Sequence, residues 1–461
     1  MSAPQILWLR RDLRMADNPA LYHAAQKGPV VAVYVLDDEA PDHHKMGGAS
    51  RWWLHHSLES LSKSFGKRNS QIVLRRGDAV EELTTVANAV GAKTVHANRH
   101  YEPWWRKAQG KLADAIELEL YDANYLFPPG FITTGSGDPY KIYTPFYKAT
   151  KSKFPPRDCV PEPETLSSPE SWPASDELAD WNLLPKNPDW SGGIADFWKV
   201  GEETAHKRLE EWEDDVADYE DTRNLPSVDG SSRMSPHLHF GEISPVQICH
   251  ALKHKRSEGW DSYESELVWR DYAQNVICQF PAYPRENYRD QFDKLKWRDP
   301  DSDKDAASDL KAWQKGMTGY PIVDAGMRQL WQTGWMHNRV RMIAASFLIK
   351  HLLIHWTKGE EWFWDTLVDA DYGSNGTNWQ WVSGTGVDSN MFPRIMAPLS
   401  QSEKFGAADY IREYVPELTG LSDEEIHDPA DEKRGEYPCK IIGHKEARER
   451  ALAAYRAMKG E

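Results

Sequence analysis

Five short apolar runs stand at Ile6–Leu9, Val30–Leu36, Ile72–Leu74, Thr94–Ala97 and Ile116–Leu120. The segments between several of them carry apolar residues at helical spacing, as in Trp52-Trp53-Leu54, Leu58 and Leu61. Strands alternating with helices predict βαβ units around a parallel, doubly wound sheet. Neither a GxGxxG loop nor a Walker A loop occurs in this half, so it carries no dinucleotide or P-loop fingerprint. From Pro155 to Trp198 eight prolines fall among Ser, Asp and Glu, which predicts a long irregular connector. Beyond Gly201 the spacing turns helical, over Ala205–Asp221, Tyr263–Phe280, Pro321–Thr333, Trp335–His355 and Glu360–Val368. Gly334 stands between two of these runs, where a helix stop is expected. The expected fold class is an α/β half followed by an all-α half.

The length of 461 residues allows two or three domains. Hydrophobic residues at 40% and charged residues at 27% exclude a mainly disordered chain. Lys plus Arg is 55 against 71 acidic residues, a net charge of −16. That argues against coating nucleic acid through bulk charge but leaves room for a local basic groove. No apolar run approaches the roughly 18 residues that span a bilayer. The opening basic residues follow the apolar stretch instead of preceding it, so no signal peptide is read there and a cytoplasmic location is expected. The four cysteines lie far apart without a CxxC pair, which favours buried free thiols over a zinc site or disulfides. Tryptophan, at 21 residues, is far above ordinary usage and invites a stacking or redox role.

Chemistry concentrates in four stretches. In Gly334–Met342, helical spacing puts Asn338 and Met342 on one face, with His337 and Arg341 on another. A core helix with a paired Arg would read the same way. Asp369–Trp381 crowds two acids, two asparagines, two glycines and two tryptophans together, which suggests a ligand-lining turn. Gly230–Pro236 offers hydroxyls, backbone N–H groups and Arg233 before a helical run, a weak signal for a phosphate seat. Glu266 and Arg270 are four apart, a surface ion pair on the bland reading, with Trp269 beside them.

The stretches Thr318–Leu330 and Thr333–Arg339, the Trp379-Gln380-Trp381 triplet and the opening Leu9–Arg14 with Asp17-Asn18 together strongly resemble the DNA photolyase/cryptochrome family. The order of the motifs is the family's order. Gly48–Leu54 is most similar to microbial cyclobutane pyrimidine dimer photolyases of the class closest to plant cryptochromes, a class I/III-like reading. The resemblance implies an α/β antenna domain at 1–131, an interdomain linker at 132–204 and a helical FAD-binding catalytic domain at 205–461. FAD is expected against Tyr219, Ser231, Ser232, Arg233, Met234 and Ser235 on its phosphate side. Glu266, Arg270, Asn338, Asp369, Asp371 and Asn375 would line its ribose and ring, with Asn375 at flavin N5 and Arg341 paired to Asp369. Trp379, Trp356 and Trp297 would form an electron-transfer triad from flavin to surface. The lesion pocket would use Glu266, Trp269, Asn338, Met342, Trp381 and Arg394, with a flipped-out dimer stacked against the two indoles. Arg223, Arg339, Arg394 and Lys404 would supply a local basic rim.

The activity implied is light-driven repair of cyclobutane pyrimidine dimers in DNA, by an electron from excited reduced FAD, in a monomer without metal. Asn338 and Met342 stand where enzymes for (6-4) photoproducts place two histidines. The alternatives are (6-4) repair and a cryptochrome-type blue-light photoreceptor. Three positions depart from the commonest bacterial pattern. Thr377-Asn378 replaces a Gly pair, Tyr263 replaces a Trp, and Pro103-Trp104-Trp105 follows Tyr101-Glu102 where folate-binding relatives carry Asn-Glu. The antenna chromophore is expected to be 5,10-methenyltetrahydrofolate held elsewhere in the α/β half, with a deazaflavin second.

Overall fold

The computed structural model describes residues 2–389 and 392–461. The chain forms two compact units, both discontinuous in sequence. One contains Met1–Ala217, Ser232–Pro281 and Val368–Asp371; the other contains Asp218–Ser231, Ala282–Leu367 and Tyr372–Glu461.

The first unit is built on a parallel sheet of β1 (Gln5–Leu9), β2 (Val30–Leu36), β3 (Ile72–Arg76), β4 (Thr94–Asn98) and β5 (Glu117–Tyr121), in the order β3-β2-β1-β4-β5. All five expected strands form, within two residues at either end. Strands β1, β2 and β4 are buried throughout, and β2 accordingly reads as an unbroken apolar run and not as an alternating one. The crossover helices are α1 (Pro19–Lys27), α2 (Gly48–Gly66), α3 (Ala79–Val90) and α4 (Pro103–Ala115). Ile6, Trp8, Val31, Val33 and Val95 of the sheet meet Leu83 and Val86 of α3 and Leu112 of α4 in one core. Asn18 caps α1 by accepting from the Leu21 N–H, and Pro19 supplies the fixed φ of its first turn.

The polar segment after β1 is spent on holding this unit together. Arg14 is fully buried and its guanidinium donates to the carbonyls of Asp17, Ala123 and Gly241 and to Asn124 Oδ1, at 2.9–3.3 Å. Asp17 adopts a left-handed φ of 48° and takes a forked bond from Arg157. Gly241, at φ 67°, lies so close that an added Cβ would stand 2.1 Å from the Arg11 carbonyl oxygen. Only glycine fits there.

Beyond the sheet this unit carries α5 (Ser235–Phe240) and α6 (Glu258–Gln279). Ser257 caps α6 by accepting from the Trp260 N–H at 3.0 Å. The stretch between residues 152 and 191 holds only a short 3-10 turn at Leu178–Trp181. The expected Ala205–Asp221 helix breaks: it runs over Glu202–Asp215 and tightens to a 3-10 turn at Val216–Asp218. Gly259 explains the break, because the Val216 and Ala217 carbonyl oxygens approach its backbone within 2.3 Å of where a Cβ would stand.

The second unit is helical. Its central elements are α7 (Pro321–Thr333), α8 (Asn338–Ser346), α9 (Trp356–Thr366), α10 (Tyr372–Ser383) and α11 (His444–Lys459). Helix α7 has the expected limits: Pro321 opens it and Gly334, at φ 67°, closes it. The expected Trp335–His355 helix is shorter at both ends. His337 caps α8 through its own imidazole, and residues Phe347–His351 widen into a π-turn.

A larger correction concerns Asp369–Trp381, expected as a turn. From Tyr372 onward it is helix α10. Gly373, Gly376 and Thr377 are poor helix formers, but tertiary contact overrides propensity. A Cβ at Gly376 would stand 2.7 Å from Pro284, and one at Gly359 of α9 would stand 2.1 Å from the Trp379 ring. The glycines buy close approach between elements. The thiol reading also needs correction: all four cysteines are free, but Cys159 and Cys439 are exposed. No helix among the described residues is long and apolar enough to cross a membrane.

Candidate functional site

In the first unit, α6 presents Glu266, Trp269 and Arg270 at spacings of three and four, so the three share a face. Glu266 and Trp269 are half-buried. Tyr143 stacks flat on the Trp269 indole, with centroids 3.4 Å apart and planes 9° off parallel, and Tyr272 meets it edge-on at 5.4 Å. The Tyr143 hydroxyl bonds Ser265 at 2.7 Å, which fixes this backing ring. Arg270 donates to the Asn124 and Leu238 carbonyls and lies 4.6 Å over Tyr125, so it is an internal strut of this unit. One residue on, Asp271 accepts from the Leu126 and Phe127 N–H groups at 3.3 and 2.9 Å. Burial pushes its carboxyl up to about 7.

The segment before α5 is also in place. Arg233 adopts a left-handed φ of 53° and its guanidinium lies 4.7 Å over Phe197. Ser232 accepts from the Tyr263 hydroxyl at 3.1 Å, and Met234 is buried. Ser235 Oγ donates to Asp369 Oδ2 at 2.6 Å, which joins two residues expected to meet different parts of one ligand. Asp371 has Arg11 Nη1 and His239 Nδ1 each at 4.0 Å. Arg11 Nη1 also reaches Glu102 at 3.3 Å. Burial, with Arg11 and Arg270 adding to it, holds His239 neutral, its pKa well below the usual value.

In the second unit, Asn338 opens α8 exposed, and Met342 lies one turn on, half-buried. Arg341 Nε donates to the Met336 carbonyl at 2.7 Å. Arg339 bonds Asn224 Oδ1, approaches Met342 Sδ at 3.8 Å and lies 4.5 Å over Phe405, whose ring Lys404 also meets at 5.2 Å. Arg223 lies 5.3 Å over the Tyr219 ring. Ser231, half-buried, closes the loop that begins at Tyr219, where Gly230 leaves no room for a side chain beside Thr222.

Asn375 is buried in α10, and its Nδ2 donates to Glu360 Oε1 at 2.9 Å and to the Glu360 carbonyl at 3.2 Å. Among the described residues its Oδ1 accepts nothing. Glu360, itself buried, therefore turns the amide so that its oxygen is left for a donor. Gln380 is spent differently. Its Nε2 bonds the Tyr283 and Glu286 carbonyls and its Oε1 accepts from the Tyr288 N–H and Thr385 Oγ1. Of the Trp-Gln-Trp triplet, the Gln is a staple, while Trp381 remains half-buried.

The three tryptophans picked from 21 form a graded series. Trp379 and Trp356 are buried and Trp297 is half-buried. Trp379 packs on α9 at Gly359, one turn beyond Trp356, and meets Phe363 edge-on at 5.0 Å. Trp356 Nε1 donates to Asn287 at 2.7 Å. Its neighbour His355 lies 5.1 Å from the Trp297 ring. Glu360 and Tyr143 were missed from sequence. Glu360 sits in a helical run like any surface acid, and Tyr143 lies over a hundred residues from the indole it supports.

Comparison with known proteins agrees with this organisation. Residues 5–166 match the DNA photolyase family model, and residues 263–457 match the FAD binding domain of DNA photolyase. The chain is 44% identical to a deoxyribodipyrimidine photo-lyase of Agrobacterium fabrum, over 99% of this chain and 98% of the relative. A crystal structure of a bacterial class III photolyase from Agrobacterium tumefaciens superposes with a TM-score of 0.94 at 44% identity, covering 100% of this chain and 98% of that one. Cryptochrome-1 of Arabidopsis thaliana is 32% identical over 98% of this chain and 70% of its own length. With both family domains matched and the five-stranded parallel sheet and helical second half in place, the chain belongs to the DNA photolyase/cryptochrome family.

Proposed function

We propose that this protein is a light-driven lyase that splits cyclobutane pyrimidine dimers in DNA. The observation that carries the reading is the face of α6, where Trp269, backed by Tyr143, stands one turn from Glu266. A rigid aromatic wall beside a carboxylate suits a flipped-out pair of pyrimidines: the indole stacks on a base, and Glu266 holds the polar edge by hydrogen bonds. Trp381, Met342, Asn338 and Arg394 complete the proposed lesion contacts. Arg223, Arg339 and Lys404 join Arg394 in meeting phosphates. A local patch of this kind reconciles DNA binding with a net charge of −16.

The residues fit FAD on the chemistry of their donors and acceptors. Asn375 keeps an amide oxygen in reserve, the group needed to accept from the N5–H of a reduced flavin. Arg233 and the hydroxyls of Tyr219, Ser231, Ser232 and Ser235 supply donors for its diphosphate, with Met234 against them. Asp369, Asp371, Glu266, Arg270 and Asn338 serve its ribose and ring, and Arg341 serves Asp369. When bound and reduced, FAD supplies light absorption and the electron that opens the dimer. Trp379, Trp356 and Trp297 carry electrons to it from the surface. The functional domains stay as read from sequence, 1–131, 132–204 and 205–461, in a cytoplasmic monomer.

We propose 5,10-methenyltetrahydrofolate, ahead of a deazaflavin, as a second chromophore in the α/β half. Supporting this, the strand order reverses between β1 and β4, where open α/β sheets bind ligands beyond their carboxyl ends. Arg10 Nε and Nη1 and Arg11 Nε are buried donors with no acceptor among the described residues, and Arg11 lies 5.0 Å over Trp105. The absorption spectrum of the purified protein distinguishes the pigments.

The deciding experiment illuminates the reduced, FAD-loaded protein with an oligonucleotide holding one thymine dimer. Recovery of thymine absorbance in light and not in darkness is expected. A flavin-loaded protein that photoreduces but repairs nothing would move the assignment to a photoreceptor, and repair of a (6-4) photoproduct alone would move it to that lesion.

A further inference from the structure

We propose that His355 is a positioning residue for electron transfer, its ring holding the Trp297 indole where it passes an electron to Trp356. The proposal rests on the reading of Trp379, Trp356 and Trp297 as an electron chain.

The two outer indoles are held differently. Trp356 is buried, and its Nε1 donates to Asn287 Oδ1 at 2.7 Å. Trp297 is half-buried, and its buried Nε1 has no partner among the described residues. With no hydrogen bond on the ring, packing sets its angle. Its aromatic neighbours among the described residues are His355, edge-on at 5.1 Å and 79°, and Phe392, edge-on at 6.2 Å and 72°. Of the two, His355 also meets Trp356, at 5.5 Å. One imidazole therefore touches both indoles between which the electron passes.

His355 is itself fixed. The Arg298 N–H donates to the Leu353 carbonyl at 2.8 Å and Arg298 Nη1 to the Leu352 carbonyl at 3.3 Å, so the main chain beside Trp297 is tied to the turn that carries His355. Leu353 in that turn takes a left-handed φ of 55°, a strained conformation for a residue with a side chain. His355 then caps α9: its Nδ1 accepts from the Thr357 N–H at 3.3 Å and lies 2.8 Å from Thr357 Oγ1. The ring proton therefore sits on Nε2, and Thr357 fixes the rotation of the ring. Burial, with the Lys358 charge adding to it and Asp293 opposing it, pulls the His355 pKa down to about 4. The imidazole thus adds no charge beside an oxidised indole. In the step itself one electron moves from Trp297 to the Trp356 radical cation. A dissolved dithiol returns it to Trp297, closing to its disulfide with loss of two protons for every two electrons.

The test uses the full-length, FAD-loaded protein in blue light with dithiothreitol. Wild type, His355→Asn, His355→Phe and Trp297→Phe are compared by the transient absorption of the indole radical, by the rate of photoreduction and by denaturant unfolding. Asn keeps the helix cap and loses the ring, whereas Phe keeps a neutral ring and loses the cap. His355→Asn is expected to unfold like wild type yet to form the Trp297 radical and photoreduce at least about 10-fold more slowly, as loss of reacting geometry does. His355→Phe is expected to be less stable yet to photoreduce within about 2-fold of wild type, because a ring again spaces the indoles. After chemical reduction both His355 variants should repair a thymine dimer at the wild-type rate. His355→Asn with wild-type radical kinetics, or His355→Phe no faster than His355→Asn, would overturn the proposal. Trp297→Phe should lose the long-lived radical; if it photoreduces like wild type, the electron-chain reading falls as well, whereas its failure beside unaffected His355 variants overturns this inference alone.

Discussion

Two polar-rich segments, Leu9–Asn18 after β1 and Asp369–Trp381 through α10, look alike as sequence and differ in what they leave unspent. In the first, Asp12 accepts from the Arg10 N–H and from Asn98, Asn18 caps α1, and every guanidinium nitrogen of Arg14 has an acceptor within its unit. In the second, Gln380 is equally consumed, but Asn375 gives only its N–H groups to Glu360 and keeps its oxygen. Both segments are dense in Asp and Asn. What separates a strut from a ligand-binding group is the hydrogen-bonding capacity remaining after the fold has taken its share. Arg10 and Arg11 mark the limit of the contrast, since some of their buried nitrogens remain unpaired beside Trp8 and Trp105.

The largest effect is expected at the strut. Arg14→Met removes donors from five buried contacts and should cost about 3–5 kcal/mol, the range for breaking a buried charged network from one side. Denaturant unfolding measures it. Flavin content and repair per folded molecule should stay close to wild type. A variant as stable as wild type would show that this segment is not structural.

Next comes the aromatic wall. Trp269→Ala should raise KM for dimer DNA about 10- to 100-fold, because base stacking on an aromatic contributes about 1–3 kcal/mol. Tyr143→Ala removes only the backing ring and should produce a smaller increase in the same direction. Equal affinity in all three proteins would remove α6 from the lesion site.

At Glu360 the prediction addresses the spare amide oxygen directly. Glu360→Ala leaves the Asn375 NH2 buried with one acceptor fewer, a cost of about 1–3 kcal/mol. The amide is then free to turn its NH2 towards the flavin. The reduced flavin should reoxidise faster in air, and repair should fall about 10-fold, while DNA affinity stays unchanged. A loss of DNA affinity instead would place Glu360 in substrate binding.

Much of this was legible in sequence, for reasons specific to each element. The sheet was readable because buried parallel strands give unbroken apolar runs, as in Val30–Leu36. Helix α7 was readable because Pro321 and Gly334 mark its ends. Helix α10 was not: its two glycines, threonine and asparagines argue for a turn, and its helicity comes from contacts with Pro284 and with Gly359 of α9. The site residues themselves came from motif resemblance, since a single sequence does not distinguish Trp379 from the other indoles. Their supports, Tyr143 and Glu360, belong to no motif and become visible only when the chain is folded.

The smallest effect concerns the basic rim, where Arg394 is exposed and its backbone carbonyl accepts from Lys350 Nζ. If the Arg394 guanidinium meets one phosphate, Arg394→Gln should lower the slope of log affinity against log salt by about 0.9. Affinity at physiological salt would fall only a few-fold, and equally for dimer-containing and undamaged DNA, because a phosphate contact positions without reading the lesion. Titration of both duplexes across a series of salt concentrations decides it. An unchanged slope would make Arg394 a solvated surface residue, whereas a loss confined to dimer-containing DNA would move it from the rim into the lesion pocket.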